Sequence, residues 1–162
     1  MFKKILVFLL AVLIVIQFFK PKKNIQEGIA ANHISTQYAI PDDVAPILEK
    51  ACYDCHSNNT RYPWYNNIQP VAWWLNNHVQ EGKRELNFSE FTNRPLRMQY
   101  HKIDEAIDQV KKGEMPLNSY TWVHKDAILT DAEKEKLIGW AQSVMDSMKA
   151  RYPIDSLIRK KA

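Results

Sequence analysis

Cys52 and Cys55 are the only cysteines in the chain, and His56 follows the second at once in the run Cys52-Tyr53-Asp54-Cys55-His56. One helical turn separates the two thiols and puts them on the same side of a helix. A disulfide across so short a helical separation is strained. A thioredoxin-type redox pair accompanies a βαβ pattern, which this sequence lacks. A structural zinc site usually offers a second ligand pair at short spacing, and none of His33, His78, His101 or His124 is so paired. The pattern is that of c-type haem attachment. Two thioethers would reach the two vinyl-derived positions of one haem edge, and the adjacent histidine would bend under the ring. One covalent haem c is the expected cofactor, held by Cys52 and Cys55 with His56 as proximal iron ligand. A zinc-stabilised interaction module is the non-haem alternative.

Around this motif the sequence predicts an all-α fold. A first helix is expected from Pro41, capped by Asp42 or Asp43, with Val44, Ile47, Leu48, Ala51 and Cys55 at helical spacing. A second begins at Pro70 with a stripe of Val71, Trp74, Leu75, His78 and Val79 before Gly82. A third begins near Pro95, carries Tyr100, Ile103, Ile107 and Val110 on one face, and stops at Gly113. The fourth has a capping box, Thr130 with Glu133, followed by Leu137, Trp140, Ala141, Val144, Met145 and Met148. No segment alternates with period two over a useful length, and no repeat is visible.

Lys3 and Lys4 precede an apolar run from Ile5 to Phe19 that is interrupted only by Gln17. At about 1.5 Å per residue it reaches roughly 22 Å against a hydrocarbon core of ~30 Å, a gap that Phe2 and snorkelling lysines narrow. The run ends in Phe18-Phe19-Lys20-Pro21 rather than in small residues, so an uncleaved signal anchor over 1–20 is expected rather than a cleaved peptide. Residues 21–40 read as a polar linker, 41–150 as the haem-binding domain and 151–162 as a basic tail, in which Arg159, Lys160 and Lys161 can touch anionic headgroups.

The net charge of +4 belongs to the two ends. Between residues 24 and 148, 12 lysines and arginines face 17 acids, which argues against nucleic acid as a partner and for a redox partner with a basic docking face. Lysines on both sides of the apolar run leave its orientation undecided. The haem decides it, because c-type cytochromes as a class acquire haem outside the bacterial cytoplasmic membrane. The expected topology is a single pass with the domain facing the periplasm.

The sixth iron ligand sets what such a haem does. Gly113-Glu114-Met115-Pro116 puts a thioether on a stiff loop after a helix stop, and Met115 is the expected distal ligand. His78, on the second helix, is the alternative, with His101 and His124 weaker. Met98, Met145 and Met148 read as helix-face packing. Tyr62, Trp64, Tyr65, Trp73 and Trp74 are candidates for the pocket wall, and Arg61 and Arg84 for the haem propionates.

Three blocks resemble the bacterial haem-binding domain family of small monohaem c-type proteins. They are CYDCHSNNTRYPWYNNIQPVAWWL from Cys52, HVQEGKRELNFSEF from His78 and GEMPLNSYTWVHKDAILTDAE from Gly113, covering most of residues 42–148. The resemblance implies a small cytochrome c-like helical domain that binds haem outside the cytoplasm, with Met115 at a position similar to the distal ligand, as in class I cytochromes c. A one-electron carrier is the expected function, in preference to an enzyme. The alternative is an open-site gas or redox sensor or a peroxidase-like enzyme, which would need distal polar groups such as His78, His101 or Arg84.

Overall fold

In the computed structural model, which describes residues 1–158, the strongest helix signal gives the longest helix. Thr130 Oγ1 accepts from the Glu133 amide and the Glu133 carboxylate accepts from the Thr130 amide, so the capping box forms as the sequence predicts. All six apolar positions expected to face inward from Leu137 to Met148 are buried in the core. Helices and short 3-10 turns are the only regular elements among the described residues.

In chain order the helices are α1 (Phe2–Ile16), α2 (Ala45–Ala51), α3 (Tyr53–His56), α4 (Val71–Glu85), α5 (Leu96–Lys112), α6 (Asn118–Thr121), α7 (Asp131–Arg151) and α8 (Ile154–Leu157). The α5 and α7 helices pack on one another through Ile103, Ile107 and Val110 on one side and the α7 stripe on the other. Pro95 precedes α5, and Gly113 ends it at φ +71°, a left-handed conformation that glycine adopts without a Cβ clash.

Several expectations change. The single helix predicted from Pro41 through the motif breaks at Cys52, whose φ of −126° lies outside the helical range, and gives α2 and then the one-turn α3. Neither Asp42 nor Asp43 caps it; the Asp43 carboxylate meets Lys136 at 3.0 Å instead. The second helix begins after Pro70 as expected but runs through Gly82 to Glu85, burying Ala72 and Val79 rather than Trp74 and His78. Small residues face inward on α4 because it lies close against α3, and its large aromatics are left outside.

The polar linker expected over 21–40 is packed against the domain from Asn24 onward. Ile34 is fully buried, and Tyr38, one turn later, joins the same core. The Asn24 amide donates to Tyr62 Oη at 2.8 Å, and the Trp140 indole donates to the Ala39 carbonyl at 3.0 Å. The basic tail expected from residue 151 first forms α8, which folds back on α5 and buries Leu157. Arg159, Lys160 and Lys161 lie outside the described residues. Met145 and Met148 are core residues as expected, whereas Met98 is exposed.

The α1 helix buries none of its residues, and no described helix is long and apolar enough to cross a membrane.

A Cβ added at Gly82 would sit 2.7 Å from the Cys55 carbonyl oxygen and 3.0 Å from Cys55 Cβ. That oxygen is backbone and yields only if α3 and α4 separate. Gly82→Ala is therefore expected to cost about 1–3 kcal/mol, read as a lower midpoint in chemical denaturation with little change in slope.

Candidate cofactor site

Beneath the α3 turn lies a cavity of about 320 Å³, walled by α2, α5, α7 and the loops between them. Its surface is mostly apolar: Leu48, Leu86, Phe88, Ile103, Ile107, Val110, Leu137 and Trp140 contribute. Cys52, His56 and Met115 all line it, so three of the expected ligand residues, distant in sequence, share one wall space.

His56 is oriented by the backbone. Its Nδ1 lies 2.9 Å from the Leu86 carbonyl oxygen, which can only accept, so Nδ1 carries the proton and Nε2 keeps its lone pair. Burial pushes the imidazole pKa down, against an opposing pull from the Leu86 carbonyl bond, and holds the ring neutral. A neutral imidazole with its second nitrogen held by a carbonyl is the form that ligates a metal.

Met115 reaches the cavity through the turn that Gly113 permits. The amides of Glu114 and Met115 both donate to the Gln109 carbonyl, at 2.9 and 3.3 Å, and draw the chain back over the end of α5. The Met115 side chain packs partly buried against the core.

Both cysteines are free and half-buried. Burial, with the neighbouring Cys55, pushes the Cys52 thiol up to about 12; burial, with the Asp54 charge, pushes Cys55 up to about 11. Both stay protonated at neutral pH, unlike the thiolates of redox-active pairs. Among the described residues no three His, Cys, Asp or Glu side chains gather as a metal-binding group, which removes support from the zinc alternative.

Cys55 opens on a second, smaller cavity of about 70 Å³, on the side of α3 toward α4 and α6. Arg61, Tyr62, Tyr65, Trp74, His78 and His124 line this second space. The structure therefore does not bring His78, the alternative distal ligand, to the cavity of His56. His78 Nδ1 lies 2.9 Å from the Trp74 carbonyl, and its ring lies against the Trp74 indole. Arg61 is committed to Asp54 and to the Glu49 carbonyl. Trp64, 76% exposed, lines neither cavity, nor do Trp73 and Arg84. His101 points to Glu105 at the surface.

Two features escaped the sequence. Asp54, inside the motif, is buried and accepts from the Arg61 amide at 2.9 Å, from the Arg61 guanidinium, and from Tyr120 Oη at 2.6 Å. Burial and the Asp54 carboxylate push the Tyr120 phenol up, so it remains a donor. The second feature is the charged part of the larger cavity wall: Lys102 Nζ sits 2.6 Å from Glu85 and 2.7 Å from Glu105. Helical periodicity marks Lys102 only as a neighbour of Ile103, and its link to Glu85 joins two helices.

The chain belongs to the haem-binding domain family, whose sequence pattern matches residues 11–143. No curated protein and no solved structure matches it. The residues on the larger cavity fit the group that the family binds: an apolar wall, a neutral oriented imidazole, a thioether and an adjacent thiol.

Tyr120→Phe removes a hydrogen bond to a charged, buried acceptor while keeping the ring stacked on His124. The expected cost is about 1.5–3 kcal/mol in thermal or chemical denaturation.

Proposed function

We propose that this chain is a monohaem c-type cytochrome domain that carries single electrons at the outer face of a bacterial cytoplasmic membrane. The observation that carries the reading is the His56 Nδ1 bond to Leu86, which leaves Nε2 free on the cavity that Met115 also lines. Bound haem supplies a one-electron iron couple, whose potential methionine–histidine ligation raises.

Each residue has a defined task. Cys52 and Cys55 are the residues that would hold the haem covalently, each thiol adding S–H across one vinyl group to give a thioether. Cys55 faces the second cavity, so its thioether requires a turn of that side chain toward His56. His56 would ligate through Nε2, with its ring plane and tautomer fixed by the Leu86 carbonyl. Met115, on the same cavity, would supply a thioether to the iron and so close it to outside ligands. The mostly apolar wall, its charged part held in the Lys102 pairs with Glu85 and Glu105, would leave few groups to reorganise when the iron changes charge.

The remaining parts of the proposal concern placement. The apolar α1 inserts into the bilayer and tethers the domain, and the acidic middle of the chain favours a partner with a basic face. The open-site sensor or peroxidase reading has little to draw on, because His78, His101 and Arg84 do not line the cavity of His56.

The test is the reduced absorption spectrum of the full chain matured with haem in a periplasm, before and after carbon monoxide. A c-type spectrum that carbon monoxide leaves unchanged is expected; a prompt shift would transfer the argument to the open-site reading, and no haem spectrum would sink both. Met115→Ala is expected to make the spectrum responsive to carbon monoxide and to lower the potential. Cys52→Ala and Cys55→Ala should each leave one thioether, and the double variant should release its haem into acidified organic solvent.

A further inference from the structure

Exposed tryptophans gather where α1 meets the domain. Four hydrogen bonds clamp that junction: Gln17 and Gln69 exchange a reciprocal pair at 2.9 and 3.1 Å, and Phe19 O accepts from Gln69 Nε2 at 2.9 Å and from Trp73 Nε1 at 2.7 Å. Gln69 is buried, so the exit of the apolar helix is fixed to the domain rather than hung from a loose tether. The segment that receives it carries Trp64, Ile68, Trp73 and Trp74, all exposed. Val123 shares the small second cavity with Trp74 and carries the face on to Trp122, which is 78% exposed.

We propose that this face, from Trp64 through Trp73 and Trp74 to Trp122, rests in the headgroup region of the bilayer that receives α1. The inference rests on the insertion of α1 proposed above and adds where the domain sits. Three observations name lipid as the occupant. The face is continuous with a helix of fifteen residues, apolar on every side from Ile5 to Ile16, that buries nothing of itself in the protein. That helix is shorter than a hydrocarbon core, and a collar of tryptophans at its exit lengthens the apolar column where indole rings with one polar edge partition best. Lys20, Lys22 and Lys23, all exposed, follow directly after the apolar run, where anionic phosphates would meet them.

The test uses the full haem-loaded chain in phosphatidylethanolamine–phosphatidylglycerol vesicles, purified by flotation, with hydroxyl-radical oxidation of each tryptophan read by mass spectrometry. Trp140, buried in the core, is the internal reference of the same chemistry. Oxidation of Trp64 and Trp122 down to the Trp140 level, unchanged when the vesicles are diluted in protein, supports the collar. Oxidation of both well above Trp140 in floated vesicles overturns it while leaving the anchor standing. Protection that disappears as protein is diluted in lipid assigns the face to a second copy and also overturns it. Failure to float removes the anchor and the collar together, and the haem band of the same sample reports on the cofactor independently.

Discussion

The approach of α4 to the motif turn governs the rest of the site. Gly82 lets the helix lie against Cys55 at a distance no side chain would tolerate, and four residues later the Leu86 carbonyl accepts a hydrogen bond from His56 Nδ1. One contact sets the separation of the two elements and the other sets the imidazole. Because both come from the last turn of α4 and the residue after it, a shift of that helix would disturb the thiols and the histidine together. On the proposed haem reading this coupling would suit a site that presents two thiols and an imidazole together, since a loosely held ring gives up the pre-organisation that makes ligation favourable.

Asp54 holds the turn from its other side. A buried carboxyl group is costly unless it is paired and hydrogen-bonded. Here Arg61 and Tyr120 satisfy it, drawing the loop after the motif and the α6 turn onto α3. The result divides the surroundings of α3 into two spaces of different character. The larger is apolar and carries Cys52, His56 and Met115; the smaller is rich in hydrogen-bonding rings and carries Cys55. Aromatic hydroxyls and the His78 and His124 rings are gathered on the side away from His56, while the charged groups on its own cavity, Lys102 with Glu85 and Glu105, are paired with one another.

What the sequence disclosed follows from how local each signal is. The Thr130 capping box, the α7 stripe and the Gly113 stop are each written within a few residues, and each appears in the structure where expected, whereas the helix expected to run through the motif breaks at Cys52 and leaves its two thiols on different cavities. The face of α4 was misread because its tryptophans dominate any count of apolar residues, whereas the buried side is chosen by the closeness of α3, which favours Ala72 and Gly82. The packed arm around Ile34 and Tyr38 was misread as a linker because two apolar residues one turn apart vanish among polar neighbours. Asp54 and Lys102 owe their roles to partners many residues away, and no periodicity reports such pairings. Cys52, His56 and Met115 were legible as residue types, but their convergence on one cavity depends on three loops and α5.

Gln17 looked like a flaw in an apolar run, yet it is the residue that joins the run to the site. Its reciprocal bonds with Gln69 stand immediately before α4, and Trp73 in the first turn of that helix completes the clamp on Phe19. The other end of the same helix holds Cys55 and His56 through Gly82 and Leu86. A single helix of fifteen residues, about 22 Å long at the usual rise, therefore spans from the clamp on α1 to the imidazole. With α1 in a bilayer, that rigid link would hold the haem at a fixed height above the membrane and in a fixed orientation. Electron exchange with a partner in or on the same membrane would then depend on a distance built into α4, rather than on the reach of a flexible tether.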